Sequence, residues 1–161
     1  MRIYLIGMPG VGKSTVGKAL AARIGYTYID LDIYIEQQAM LFVDEIFHLY
    51  GEPYFRALET NALKDQLNQD NVVIACGGGI IKDKKNKQHM NGACIYLYAD
   101  LNELQRRVDA SSLERPLLRS KTLLDLYLER KDAYMSFQDF AVENIDVDTT
   151  VNMIIERLGL K

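Results

Sequence analysis

The sequence predicts an α/β fold, a parallel sheet with helices on both faces, on the strength of three observations. Apolar, strand-like runs recur at residues 2–6, 26–29, 71–76 and 93–98. Segments of helical spacing separate them, and this alternation is how crossover helices build a parallel sheet. Directly after the first run stands Gly7-Met8-Pro9-Gly10-Val11-Gly12-Lys13-Ser14, which satisfies G-x-x-x-x-G-K-[ST] between a strand and a helix.

Taken in order, the first strand runs from Arg2 to Ile6 and the first helix from Lys13 to Ile24, stopping at Gly25. The glycines between them let the backbone wrap with its N–H groups inward, and the helix adds the positive end of its dipole. Such a loop captures phosphate. Gly10, Val11, Gly12 and Thr15 would line it, Lys13 would reach the outer phosphates, and the Ser14 hydroxyl suits Mg²⁺. The chain is therefore expected to bind a nucleoside triphosphate.

Residues 31–68 are too long for one crossover and read as a helix, a short helix from Val43 to Tyr50, a break at Gly51-Glu52-Pro53, and a further helix to about Leu67. That excursion is a candidate substrate-binding insertion. Beyond it, 100–109 reads as helix, 109–121 as a lid loop, 121–140 as one long helix, and 149–158 as a closing helix.

The 161 residues suit a single domain, expected to span 1–161, and the net charge of −3 argues against a nucleic-acid or anionic-membrane surface. Lys82, Lys84, Lys85 and Lys87 lack interleaved aromatics and read as a solvated helix face. Cys76 and Cys94 have no metal-ligand spacing, and no apolar run approaches a membrane span. The first strand begins at Arg2, leaving no room for a signal peptide. The expectation is a cytoplasmic monomer.

Several groups carry chemistry. Asp30 and Asp32 end the second strand at i and i+2, so on an extended segment both point to the edge where ligands bind; helix capping is the competing explanation. Gly77-Gly78-Gly79 follows the third strand and leaves backbone N–H groups accessible, or merely makes a tight turn. Arg56 and Glu59 lie three apart on a helix, either as an ordinary surface pair or as an arginine oriented to grip a substrate carboxylate. Ser111 to Arg119 forms a polar loop whose Arg115 fits a lid over a transferring phosphoryl group. Arg130 sits in a charged helix face and reads on its own as solvent-exposed.

Taken together, these motifs resemble the shikimate kinase family from Arg2 to about Tyr134: Gly7–Thr15, Asp30-Leu31-Asp32, Glu45-Ile46-Phe47 through Glu59, Gly77-Gly78-Gly79, and Arg115-Pro116-Leu117-Leu118 followed by Arg130. The resemblance implies a three-layer α/β/α fold of the P-loop NTPase type, with a five-stranded parallel sheet in the order 2-3-1-4-5. It implies ATP-dependent phosphorylation of the 3-hydroxyl of shikimate, with Mg²⁺. By motif, Asp32 would be the candidate base, and Arg56 and Arg130 would grip the substrate carboxylate beside Gly79, Phe47 and Phe55. Ser14 and Asp30 would support the metal, Lys13 and Arg115 the phosphoryl in flight, and Arg106 or Arg107 would lie near the adenine, Arg107 being preferred.

Two other readings compete. A kinase of the same architecture could take gluconate or a nucleotide, although a nucleotide would require a different pocket for its base. A non-catalytic nucleotide-binding module could dispense with Asp32, Arg115 and the substrate arginines, all of which this chain has.

Overall fold

A computed structural model of the chain describes residues 1–110 and 121–161. Among these residues the elements run β1 (Arg2–Ile6), α1 (Lys13–Ile24), β2 (Thr27–Asp30), α2 (Leu31–Ala39), α3 (Val43–Tyr50), α4 (Glu52–Asp65), β3 (Val72–Ala75), β4 (Ala93–Tyr98), α5 (Leu101–Ala110), α6 (Leu123–Phe137), β5 (Phe140–Glu143) and α7 (Val147–Leu158), with 3₁₀ turns at 66–68, 80–82 and 84–89. The expected lid over 109–121, with Arg115, falls on residues 111–120 and so lies outside the described residues.

The five strands are all parallel, in the order β2-β3-β1-β4-β5. β1 occupies the centre, with Leu5 opposite Ala75 of β3 on one side and Ile95 of β4 on the other. Its residues Ile3 to Ile6 are completely buried. This is why the inner strands read as unbroken apolar runs: a parallel sheet covered on both faces has no polar side to alternate with. α1 packs against β2, β3 and α7, whereas α6 packs against β4 and α5. α2, α3 and α4 pack on one another beside the sheet. No helix among the described residues is long and apolar enough to cross a membrane.

Three expectations are corrected here. The helix expected over 121–140 ends at Phe137, and the fifth strand follows at once. Asp139 forces the change of element by pinning the chain to β4: its N–H donates to the Cys94 carbonyl at 2.7 Å, and its carboxylate accepts from the Cys94 N–H at 2.7 Å. The break at 51–53 narrows to Gly51, because Glu52 and Pro53 already belong to the first turn of α4, where a proline's missing N–H costs nothing. Asp32 lies in the first turn of α2 rather than on an extended segment.

Candidate active site

The loop after β1 closes on itself through Lys13, whose Nζ donates to the carbonyls of Gly7 at 2.7 Å and Met8 at 3.0 Å. Gly12 enters α1 at φ 100°, where a Cβ would lie 2.6 Å from the Asn144 side-chain nitrogen, so both conformation and space demand glycine. Val11 contributes no side chain to the cavity; it is fully buried, and its carbonyl anchors the loop. That carbonyl accepts from Asn144 Nδ2 at 2.7 Å and from Arg107 Nη1 at 3.1 Å. Arg107 Nη2 reaches the Asn144 carbonyl at 2.9 Å, and Asn144 Oδ1 accepts from Thr150 at 2.9 Å. Of the two arginine candidates, Arg107 therefore belongs to the site, while Arg106 is exposed and paired with Glu103. Asn144, buried behind the loop, had been assigned no contacts from the sequence; the short strand before it concealed its place.

Asp30 caps the helix and also faces the phosphate loop. Its Oδ1 caps α2 by accepting from the Ile33 N–H at 3.1 Å, and its Oδ2 accepts from the Ser14 hydroxyl at 3.2 Å. Asp32 still reaches the cavity, carried there by the first turn of the helix. Its Oδ1 is shut off from solvent with no hydrogen-bond partner. Burial, followed by the nearby Asp30 charge, raises its carboxyl to about 6 against the pull of Lys13 and Arg56.

Arg56 and Glu59 are not a surface pair. Glu59 is fully buried and accepts from Arg56 Nη1 at 3.0 Å, while Arg56 Nε bonds Glu52 at 3.3 Å. Glu52 in turn takes Lys82 at 2.5 Å, which ties down one member of the basic run. Burial lifts the Glu59 carboxyl to about 7, with Arg56 opposing and Asp32 adding to the rise. The glycine loop after β3 packs against these charges. A Cβ on Gly79 would lie 2.4 Å from Arg56 Nη2, and one on Gly77 would lie 2.8 Å from Glu59 Oε2 and 3.0 Å from Asp32 Oδ1. A turn that only reversed the chain would not need that clearance.

Arg130 is buried rather than solvent-exposed. It stands on the apolar stripe of α6, with Leu126, Tyr134 and Phe137 also buried, and its Nη1 lies against Gly78, where a Cβ would be 3.1 Å away. Tyr134 on the same stripe donates to the Gly78 carbonyl at 2.5 Å and stacks on Tyr96 with centroids 5.0 Å apart. The helical spacing of Leu126, Arg130 and Tyr134 was the signal available for its burial. Phe47 and Phe55 meet with centroids 4.8 Å apart, and the Arg56 guanidinium lies 5.2 Å from the Phe55 ring.

These elements enclose one cavity of about 790 Å³, lined by Gly10, Gly12, Lys13, Ser14, Thr15 and Arg107 along the phosphate loop and by Asp32, Phe47, Arg56 and Arg130 beyond it. The family model described as shikimate kinase matches residues 9–158. A shikimate kinase of Clostridium botulinum (strain Alaska E43 / Type E3) is 37% identical over 161 residues, covering 98% of this chain and 94% of that one. The chain belongs to the shikimate kinase family. Two solved shikimate kinase structures agree. That from Bacteroides thetaiotaomicron has a TM-score of 0.89 at 32% identity and covers 99% of each chain. That from Acinetobacter baumannii, described as a complex with shikimate, has a TM-score of 0.90 at 30% identity and covers 98% of this chain and 93% of that one. The sheet order expected from the shikimate kinase motifs is the order observed.

Proposed function

We propose that the chain transfers the γ-phosphoryl group of ATP to the 3-hydroxyl of shikimate, giving shikimate 3-phosphate and ADP. One observation carries the reading: a phosphate-binding loop and two arginines, Arg56 and Arg130, open on a single cavity with Asp32 between them. Phosphoryl transfer asks a protein for positioning and charge neutralisation rather than covalent chemistry. The loop of Gly10 to Thr15 binds the phosphates, and Arg107 braces that loop from behind. Arg56, already oriented by Glu59, takes the acceptor carboxylate together with Arg130. Gly77, Gly78 and Gly79 let the acceptor ring come close to the backbone, and Phe47 and Phe55 supply an apolar wall.

Asp32 accepts the hydrogen bond of the reacting hydroxyl. Its raised pKa brings it nearer to the working range of a general base, while it remains ionised at neutral pH. Lys13 stabilises charge on the transferring group, and Arg115 holds the same role on its motif alone. Ser14 and Asp30 fit a Mg²⁺ site: both offer oxygen, their side chains are 3.2 Å apart, and they stand at the mouth of the phosphate loop. The bound cation would neutralise charge on the phosphates. The candidate acceptor-binding insertion, 31–68, supplies Asp32, Phe47, Phe55 and Arg56, so it is the part that defines the acceptor. Every group named comes from one chain, so the reading requires no second subunit, and we place this activity in the cytoplasm.

A coupled ADP-release assay with ATP and Mg²⁺ tests the proposal against a panel of shikimate, gluconate, CMP and AMP. Strong stimulation by shikimate alone is expected. Release with another acceptor would keep the mechanism and reassign the arginines; no release despite ATP binding would leave a nucleotide-binding module.

A further inference from the structure

Tyr28 precedes Asp30 by two residues on β2, so both side chains leave the strand on the face that α1 covers. The fit is tight: a Cβ on Gly17 would lie 2.6 Å from Tyr28 Cε2, and the Lys18 ammonium stands 5.9 Å from the ring centre. Ser14 is one turn earlier on this face of α1 and donates to Asp30 at 3.2 Å. The Tyr28 hydroxyl is thus carried to the pair that the functional reading assigns to the cation. It is buried there with no hydrogen-bond partner. Buried phenol oxygens normally find one, and a phenylalanine would fill the same space without the unpaired oxygen. Packing accounts for the ring and leaves the hydroxyl unexplained. The Ser14 hydroxyl and the Asp30 carboxylate are the polar groups that stand beside it.

We infer that Tyr28 is a positioning residue of the divalent-cation site: its hydroxyl donates to Asp30 and accepts a hydrogen bond from a water in the cation's shell. A hydroxyl has both capacities, and the proposed ligand set of Ser14 and Asp30 leaves most of a six-coordinate cation's shell to water and phosphate oxygen. The inference rests on the Mg²⁺ reading given above.

Tyr28→Phe tests it by calorimetry of ATP binding, with and without Mg²⁺ and with no acceptor present. The gain in ATP affinity that Mg²⁺ confers is expected to shrink about three- to tenfold, as for loss of a hydrogen bond. ATP binding in chelator should stay within about twofold of the parent. The unfolding midpoint should stay close to the parent's, because the ring that fills the space is kept. An unchanged Mg²⁺ gain overturns the inference, and so does an equal loss with and without Mg²⁺, which would mark a purely structural effect on the phosphate loop. Ser14→Ala separates the two levels: if it retains the full Mg²⁺ gain, the cation reading itself fails, whereas loss there with a normal Tyr28→Phe defeats only the role of Tyr28.

Discussion

Arg56 and Glu59, one helical turn apart on α4, form a 3.0 Å ion pair in which Glu59 is wholly buried and Arg56 lies on the cavity wall. Glu59 holds Nη1 and Glu52 holds Nε, so on the proposed reading Nη2 is the group left to meet a substrate carboxylate. Removing the arginine would strand a buried carboxylate and, on the proposed reading, take away an acid-binding group. Arg56→Ala is expected to raise the KM for shikimate about a hundredfold and to lower the unfolding midpoint. Arg56→Lys should keep most of the stability and lose about tenfold in KM, because an ammonium cannot make the forked contact. Steady-state kinetics with each substrate varied in turn checks both; an unchanged shikimate KM in Arg56→Ala would move the acid site elsewhere.

Asp32→Asn should lower kcat by about 10² to 10⁴ while ATP affinity stays within about threefold. Normal turnover in this variant would remove Asp32 from the reaction.

Gly79→Ala places a methyl where the Arg56 guanidinium now lies, 2.4 Å away. The guanidinium must shift, so the shikimate KM is expected to rise about tenfold with the ATP KM nearly constant. Equal effects on both substrates would indicate a general disturbance of the loop.

Asn144→Ala takes one of two donors from the Val11 carbonyl and leaves Thr150 without its 2.9 Å partner. The ATP KM should rise about five- to tenfold, and the shikimate KM should hold. Differential scanning of the free protein should also show a lower midpoint.

The pH dependence of stability has a definite sign. The Glu59 carboxyl ionises near 7 in the folded chain, against 4.5 when unperturbed. The folded state therefore holds a proton that the unfolded state has released over this interval, and stability falls as pH rises from about 4.5 through 7. Glu59→Gln should flatten that slope in thermal unfolding of the free protein. An unaltered slope would assign the titration to another group, Asp32 being the first candidate.

The inner strands and the phosphate loop were legible because their signals are local: unbroken apolar runs, and glycines at fixed spacing before Lys13. β5 was not, since its four residues, of which only Val142 is buried, are held by Asp139 pairing with Cys94, forty-five positions earlier, which leaves no mark on the local pattern. Asp30 ends its strand as expected, whereas Asp32 was recognised by type and misplaced in geometry, because the strand hands over to α2 between them. Arg130 illustrates a different limit. Composition marked it as a surface cation, and only its register with Leu126 and Tyr134 pointed inward. That register was in the sequence, but a buried arginine needs a ligand or a glycine loop to face, and tertiary structure supplies the loop.

β1 and β3 are hydrogen-bonded neighbours, and on the proposed reading the loops at their ends serve donor and acceptor respectively. On that reading the pairing of the two strands, about 4.8 Å apart, fixes where the two loops begin, and the side chains place the acceptor from there. A lineage drifting toward a new acceptor would inherit that spacing unchanged. It would need to rewrite only the grip, in α2 to α4 and along one stripe of α6, leaving the starting points of the two loops as a legacy of the sheet.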